Sequence, residues 1–182
     1  MGLPMPARII CILLCLAPFC GFSSVDIFLK IEKINGESTD AKHTDDIDVL
    51  AWSWGMASPA SFADGGKANT GSASFQDITI TKFFDKSTPS LLLNCANGTR
   101  IGKMELFVRK QGKDPAEFLV ITFEEVLVTS VSTGGSGGED RLVENVSFAF
   151  GRIRLEYKAI DENGSLGSPE KFGWDVEKNE KI

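Results

Sequence analysis

The chain has 182 residues, 42% of them hydrophobic and 24% charged, with a formal net charge of -6. That length supplies one domain with a single core, and that balance of apolar and charged residues excludes wholesale disorder. An acidic chain argues against a nucleic-acid binder. Cys11, Cys15 and Cys20 crowd near the start while only Cys95 lies in the body, so no disulfide framework or metal quartet can be built.

Residues 1–24 read differently from the rest. Arg8 precedes an apolar run at 9–16, then Pro18 and small residues, with Gly21 and Ser23 spaced for cleavage after Ser23, the pattern of a secretory signal peptide. The apolar stretch is short for a stable membrane span, and Ala17-Pro18-Phe19 before Cys20 makes a poor lipoprotein signal. A second domain boundary is not expected within 25–182.

Val25, Ile27, Leu29 and Ile31 alternate with Asp26, Lys30 and Glu32, an amphipathic strand with one exception at Phe28. A long polar loop follows at 35–46 (NGESTDAKHTDD). It holds His43, the sole histidine, which lacks a metal-ligating or catalytic companion and is expected to be exposed. The next strand, 47–56, places Leu50, Trp52, Trp54 and Met56 on one face, with Ile47, Val49, Ala51, Ser53 and Gly55 on the other. Trp-x-Trp fits either a sugar-stacking platform or two large core side chains, and the apolar neighbours favour the core.

Residues 58–72 (SPASFADGGKANTGS) form a glycine- and serine-rich loop without the spacing of a phosphate cradle. Strand character returns at 73–84. A helix is then marked by Thr88 as N-cap, Pro89 at its first position, Leu91, Leu92 and Leu93, and Asn97-Gly98 as the stop. It is too short to stand alone, so its leucines must dock on the sheet. A half-buried strand at 103–110 carries Met104, Leu106 and Val108 against Lys103, Glu105 and Arg109.

Two long β-rich runs then flank the glycine-rich segment 133–140. The first, from Phe118, is apolar on both parities and so is expected to be covered on both faces by a second sheet, a helix or a neighbouring subunit; Glu124-Glu125 reads as a kink within it. The second changes parity at Gly151: Leu142, Val146, Phe148 and Phe150 precede it and Ile153, Leu155 and Tyr157 follow, which a bulge or bend there would reconcile. A last short strand is expected at 172–176, and the charged tail 177–182 should fray.

The fold class is therefore mainly β: a two-sheet antiparallel β-barrel or sandwich with one short α-helix on its side. Enzyme chemistry is not expected. The carboxylate pairs Asp45-Asp46, Glu124-Glu125 and Glu139-Asp140 are adjacent residues whose side chains point apart, no Gly-x-Ser-x-Gly elbow is present, and no cofactor or metal site can be assembled.

The segments 130–148 (SVSTGGSGGEDRLVENVSF), 48–55 (DVLAWSWG) and 82–94 (KFFDKSTPSLLLN) resemble the Hcp tube proteins of the bacterial type VI secretion system, a likeness running from about Val25 to the C-terminus. The resemblance implies a structural subunit that forms hexameric rings, stacks them into a secreted tube, and meets a spike protein, a sheath and effectors carried in the lumen. It also implies a ring-stacking role for the 35–46 loop through Glu37, Ser38, Asp40 and His43, and a lumen-facing position for Ser53 as a cargo contact. Secretion would follow cytoplasmic assembly, without nucleic acid or a stable membrane span. Family members begin near the equivalent of Asp26, so residues 1–24 are either a genuine export signal, leaving periplasmic export open, or an extension from a start assigned upstream. Two alternatives stand beside this reading: an exported monomeric β-sandwich that binds carbohydrate or another ligand through Trp52 and Trp54, and an effector enzyme on the same scaffold, for which no appended domain is present.

Overall fold

The structure, a computed structural model, describes residues 24–62, 68–112, 115–138, 140–162 and 164–182. The signal peptide expected at 1–24 lies outside the described residues except for Ser24. Thirteen strands and one helix follow in order among the described residues: β1 (Val25–Ile31), β2 (Ile47–Ser53), β3 (Met56–Ala57), β4 (Ala60–Phe62), β5 (Ala68–Thr70), β6 (Ser74–Phe75), β7 (Ile78–Phe83), α1 (Thr88–Asn97), β8 (Ile101–Lys110), β9 (Ala116–Gly134), β10 (Val143–Ala149), β11 (Arg152–Ile160), β12 (Leu166–Asp175) and β13 (Glu180–Lys181). None of the described helical residues forms a helix long and apolar enough to cross a membrane.

The main sheet runs β10-β7-β2-β1-β8-β9-β11-β12-β13, and a further pairing of β10 with β9 closes its first six strands into a barrel. One strand makes that closure possible. β9 pairs through residues 116–126 with β8 and β11, and through 127–134 with β10. Between the two halves, Glu125 adopts a left-handed backbone, φ 56°. The change of parity follows directly: Ile121 and Phe123 point inward before the kink, and Val126 and Val128 after it. The kink accounts for the change from Phe123 to Val126, one strand serving two sheets, whereas Phe118 and Val120 lie before it on the outward parity and are half-buried there.

Opposite the kink, the chain turns its own corner at Gly151. The Gly151 N–H donates to the carbonyls of both Glu124 and Glu125, so β10 ends on one sheet and β11 begins on the other. A Cβ at this position would lie 3.0 Å from the Glu125 Cβ, which is why a glycine suits the corner.

The core is filled by Leu29, Ile31, Ile47, Val49, Ile78, Ile80, Leu91, Met104, Leu106, Ile121, Phe123, Val126, Val146, Phe148 and Ile153. In β2 the pairing with β7 shifts between Val49 and Ala51, and the bulge switches parity there, so the expected faces are inverted before it and kept after it. Ile47 and Val49 are buried, Leu50 and Met56 are exposed, and Trp52 and Trp54 lie half-buried against the core. The helix starts one residue earlier than its signals imply, with Ser87 at the N-cap position, and stops at Gly98, whose φ of 66° suits a glycine. Only Leu91 of its three leucines is buried, while Leu92 and Leu93 face solvent. The tail is not frayed: β13 pairs with Trp174 and Asp175, and Ile182 N donates to Gly173 O.

Candidate assembly surfaces

Across β2, β7, β10 and the second half of β9 the outer face carries an uncharged row rich in hydroxyls. Ser53 pairs with Thr79, Thr79 with Ser147, and Ser147 with Ser130; beside this row run Ala51, Thr81, Asn145 and Ser132. Side chains link across the strands, with Thr79 Oγ1 2.9 Å from Ser147 Oγ and Thr81 Oγ1 donating to Asn145 Oδ1 at 2.7 Å. The inward parity of the same strands carries Ile78, Ile80, Val146 and Phe148, so alternation alone sends the hydroxyls outward. Ser53, the expected cargo contact, is exposed at one end of this face.

The outer face of the other sheet is charged. Arg152 lies between Glu124 and Asp175, Arg154 bonds Glu124, and Glu156 lies between Lys158 and Lys171. The Lys158 and Lys171 ammonium groups lower the pKa of Glu156. A backbone bond from Lys178, then Arg152, does the same for Asp175.

The 35–46 loop lies back across this second face over β1 and β8, with Arg109 as its anchor. The Arg109 guanidinium donates to both carboxylate oxygens of Asp40, at 3.0 and 2.7 Å, and to Asp26 at 2.9 Å. That side-chain bond, backed by the Lys42 N–H, holds the Asp40 carboxyl well below the usual carboxylate range. His43 is buried, not exposed: its ring stacks on Phe28 at 4.2 Å and meets Phe107 at 4.8 Å. Its Nδ1 donates to the Asp46 carboxylate at 2.9 Å. The histidine thus explains Phe28, whose outward parity in β1 would otherwise leave a phenylalanine in water. Arg109 covers the same ring from 4.8 Å. Ser38 is buried and its backbone exchanges hydrogen bonds with Asp45 and Asp46, while exposed Glu37 accepts from Lys86 N. The structure brings Ser38, Asp40 and His43 together as the underside of one sealed loop and leaves Glu37 at its rim.

Beyond β2 the chain forms an arm. β3 pairs with β6 and β4 with β5 in two separate two-stranded sheets, neither joined to the barrel's ladder. Backbone bonds from Gln76 to Gly55 and from Gly71 to Pro59 extend the ribbon across its interruptions. Met56, Ala57, Ser58, Pro59, Gly71, Ser72 and Ser74 are exposed, and the remainder of the expected 58–72 loop includes 63–67, outside the described residues.

A buried pair, Lys82 and Glu144, was also not foreseen. Lys82 is wholly buried and bonds Glu144 at 2.7 Å, Asp85 at 2.8 Å and the carbonyl of Phe83, while Thr88 donates to Glu144. This network fastens the first turn of α1 to β7 and β10. The signal was present in the sequence, because Lys82 follows Ile78 and Ile80 on the inward parity.

A closed antiparallel barrel with one side helix among the described residues and an arm between β2 and β7 is an architecture this chain shares with solved bacterial secretion-system proteins. The chain superposes on a solved type six secretion system protein with a TM-score of 0.83 and 32% identity, covering 87% of this chain and 100% of that one. With Hcp1 from Salmonella typhimurium the TM-score is 0.70 at 31% identity, covering 87% and 99%. The family described as type VI secretion system effector, Hcp, matches residues 28–157, and the protein Hcp1 of Pseudomonas aeruginosa is 46% identical over 158 residues, 86% of this chain and 98% of the relative. The chain belongs to the Hcp family, the tube proteins of the type VI secretion system. The carbohydrate-binding alternative has no support, since Trp52 and Trp54 pack against the core.

Proposed function

We propose that the chain is a non-enzymatic ring subunit, that six copies close with the hydroxyl face of each toward a shared lumen, and that rings stack into a tube. The family match along most of the chain carries this reading. The contrast between the two outer faces supports it: a neutral wall suits transit of varied proteins, whereas an ionic face suits a fixed environment. Heterologous contacts that close by rotation give a ring, while stacking continues without limit. In stacking, the 35–46 loop contributes a rigid face with Glu37 at its rim and Ser38, Asp40 and His43 holding it from behind, and the arm contributes reach. Assembly in the cytoplasm, secretion of the finished tube, and contact with spike, sheath and lumenal effectors complete the proposal.

Light scattering after gel filtration, with negative-stain microscopy, tests it on the purified chain. Rings with a central hole are expected, and a monomer at high concentration would sink the reading. Ser53→Gln should leave rings intact and abolish cargo retention; unchanged retention would remove Ser53 from the lumen wall.

A further inference from the structure

Both nitrogens of the His43 ring face carboxylates. While Nδ1 donates to Asp46 at 2.9 Å, Nε2 points to Glu117 Oε1 on β9 at 3.5 Å. The residue is 4% exposed, and Nε2 is buried without a hydrogen-bond partner. On a neutral ring with its proton on Nδ1, Nε2 is an acceptor, so its lone pair meets a carboxylate that also only accepts. One proton between them turns that opposition into a charge-assisted hydrogen bond. The charged groups around the ring leave this place open. On the strands beneath it the outward charged residues are Asp26 and Lys30 on β1, Asp48 on β2, Glu105 and Arg109 on β8 and Glu117 on β9, while Asp40 and Asp46 face it from the loop. Lys42 and Asp45 are exposed, Asp45 against Lys86. Arg109 is taken up by Asp26 and Asp40, and Glu105 by Lys103. Among the described residues, His43 is the one ion-pair partner of Asp46 and of Glu117.

We propose that His43 and Glu117 share one proton, and that this proton fastens the 35–46 loop to β9 and makes the loop a pH-sensitive strap. The pair takes up the proton as a unit, and the contact exists only in the folded chain. The folded state therefore binds more protons than the unfolded one across the pair's titration, so the stability this contact adds is present on the acid side and is lost as pH rises. Release is local. Asp46 N donates to His43 O, Ser38 N to Asp46 O and Asp45 N to Ser38 O, so these bonds depend on where the ring is seated. Asp40 stays anchored to Arg109, and the loop loosens at its 43–46 end while remaining tethered at Asp40. Ring assembly is not required for the effect.

The test uses the untagged full chain, in which His43 is the sole histidine and gives the only imidazole signals after carbon-13 labelling of histidine. Its NMR signals are followed from about pH 5 to pH 9, the range in which imidazole changes charge. Glu117→Gln keeps the shape of a half-buried side chain, removes its charge, and should weaken proton binding at His43 about tenfold. Amide hydrogen exchange at Asp45 and Asp46, corrected for its intrinsic pH dependence, reads the strap. In the parent, protection should fall about fivefold from about pH 6 to pH 8, the equivalent of one net hydrogen bond. In Glu117→Gln, whose side-chain N–H can donate to the neutral Nε2, protection should be the same at both. Equal proton binding in parent and variant, or a parent ring that does not titrate, overturns the shared proton. A shared proton with protection that ignores pH overturns the strap.

Discussion

Residues 35–46 lead into β2 and residues 54–77 lead out of it, and the barrel holds the two segments in opposite ways. The first is sealed by charge and ring contacts: Arg109 reaches Asp40, His43 fills the gap between Phe28 and Phe107, and Lys86 reaches Asp45 from the approach to α1. The second keeps its own backbone bonds and touches the barrel through a row of rings at its root. The difference lies in what the neighbouring strands offer. β1 and β8 present an outward phenylalanine pair and an arginine, which a polar loop with one histidine and one well-placed aspartate can cover. Among the described residues, the arm meets the barrel through those rings and through Thr129, which donates to Asp77. A long polar segment is therefore held according to the face it crosses, and on the proposed assembly the sealed loop would supply shape and the arm reach.

Removing the anchor should produce the largest effect. Arg109→Met leaves Asp40 and Asp26 without their cation on a largely buried site, and should destabilise the protein by about 3–5 kcal/mol in urea unfolding. Limited proteolysis should then cut within 35–46, where the parent loop resists it. His43→Ala comes next, at about 2–3 kcal/mol, because it opens a gap between two phenylalanines and strips Asp46 of its donor. A loss below about 0.5 kcal/mol would mean the ring is not the filler described here.

A smaller effect reads the same anchor through pH. Asp40→Asn removes one charge-assisted bond set and should lower stability by about 1–2 kcal/mol near neutrality. The folded carboxyl titrates below its unfolded value of about 3.9, so its contribution is complete above that pH and fades as pH falls through the acid range. The gap between parent and variant should therefore narrow on acidification. A gap that widens instead would show that the carboxylate is not what Arg109 stabilises.

How much of this was legible beforehand follows from what alternation can and cannot encode. The switch of parity at Gly151, the kink at Glu124-Glu125 and the helix between Pro89 and Gly98 were all visible as local signals, because each is caused by a residue at the site itself. The bulge between Val49 and Ala51 was not, since no glycine or proline marks it and it shows only in the pairing with β7. The burial of His43 and Arg109 was equally invisible, because it depends on residues 40, 28 and 107, far apart in sequence. Ser53 could be placed opposite Trp52 and Trp54 by counting, but the row it joins, with Thr79, Ser147 and Ser130, exists only in the register of four strands. Pairwise chemistry across strands is where a single sequence loses its voice.

The arm provides the smallest expected change in stability and the sharpest test of the contrast. Met56 is exposed on β3, so Met56→Asp should alter unfolding by no more than about 0.5 kcal/mol. The same charge should disrupt assembly, because an apolar side chain at a contact between copies would be replaced by one that must be desolvated without a partner. If the variant instead unfolds as readily as Arg109→Met, the arm is bound to the barrel as firmly as the loop, and the contrast between the two ends of β2 disappears. If stability and assembly both match the parent, the arm is free but idle, and reach must come from the rim of the loop at Glu37. Only unchanged unfolding with lost assembly assigns shape to one end of the strand and reach to the other.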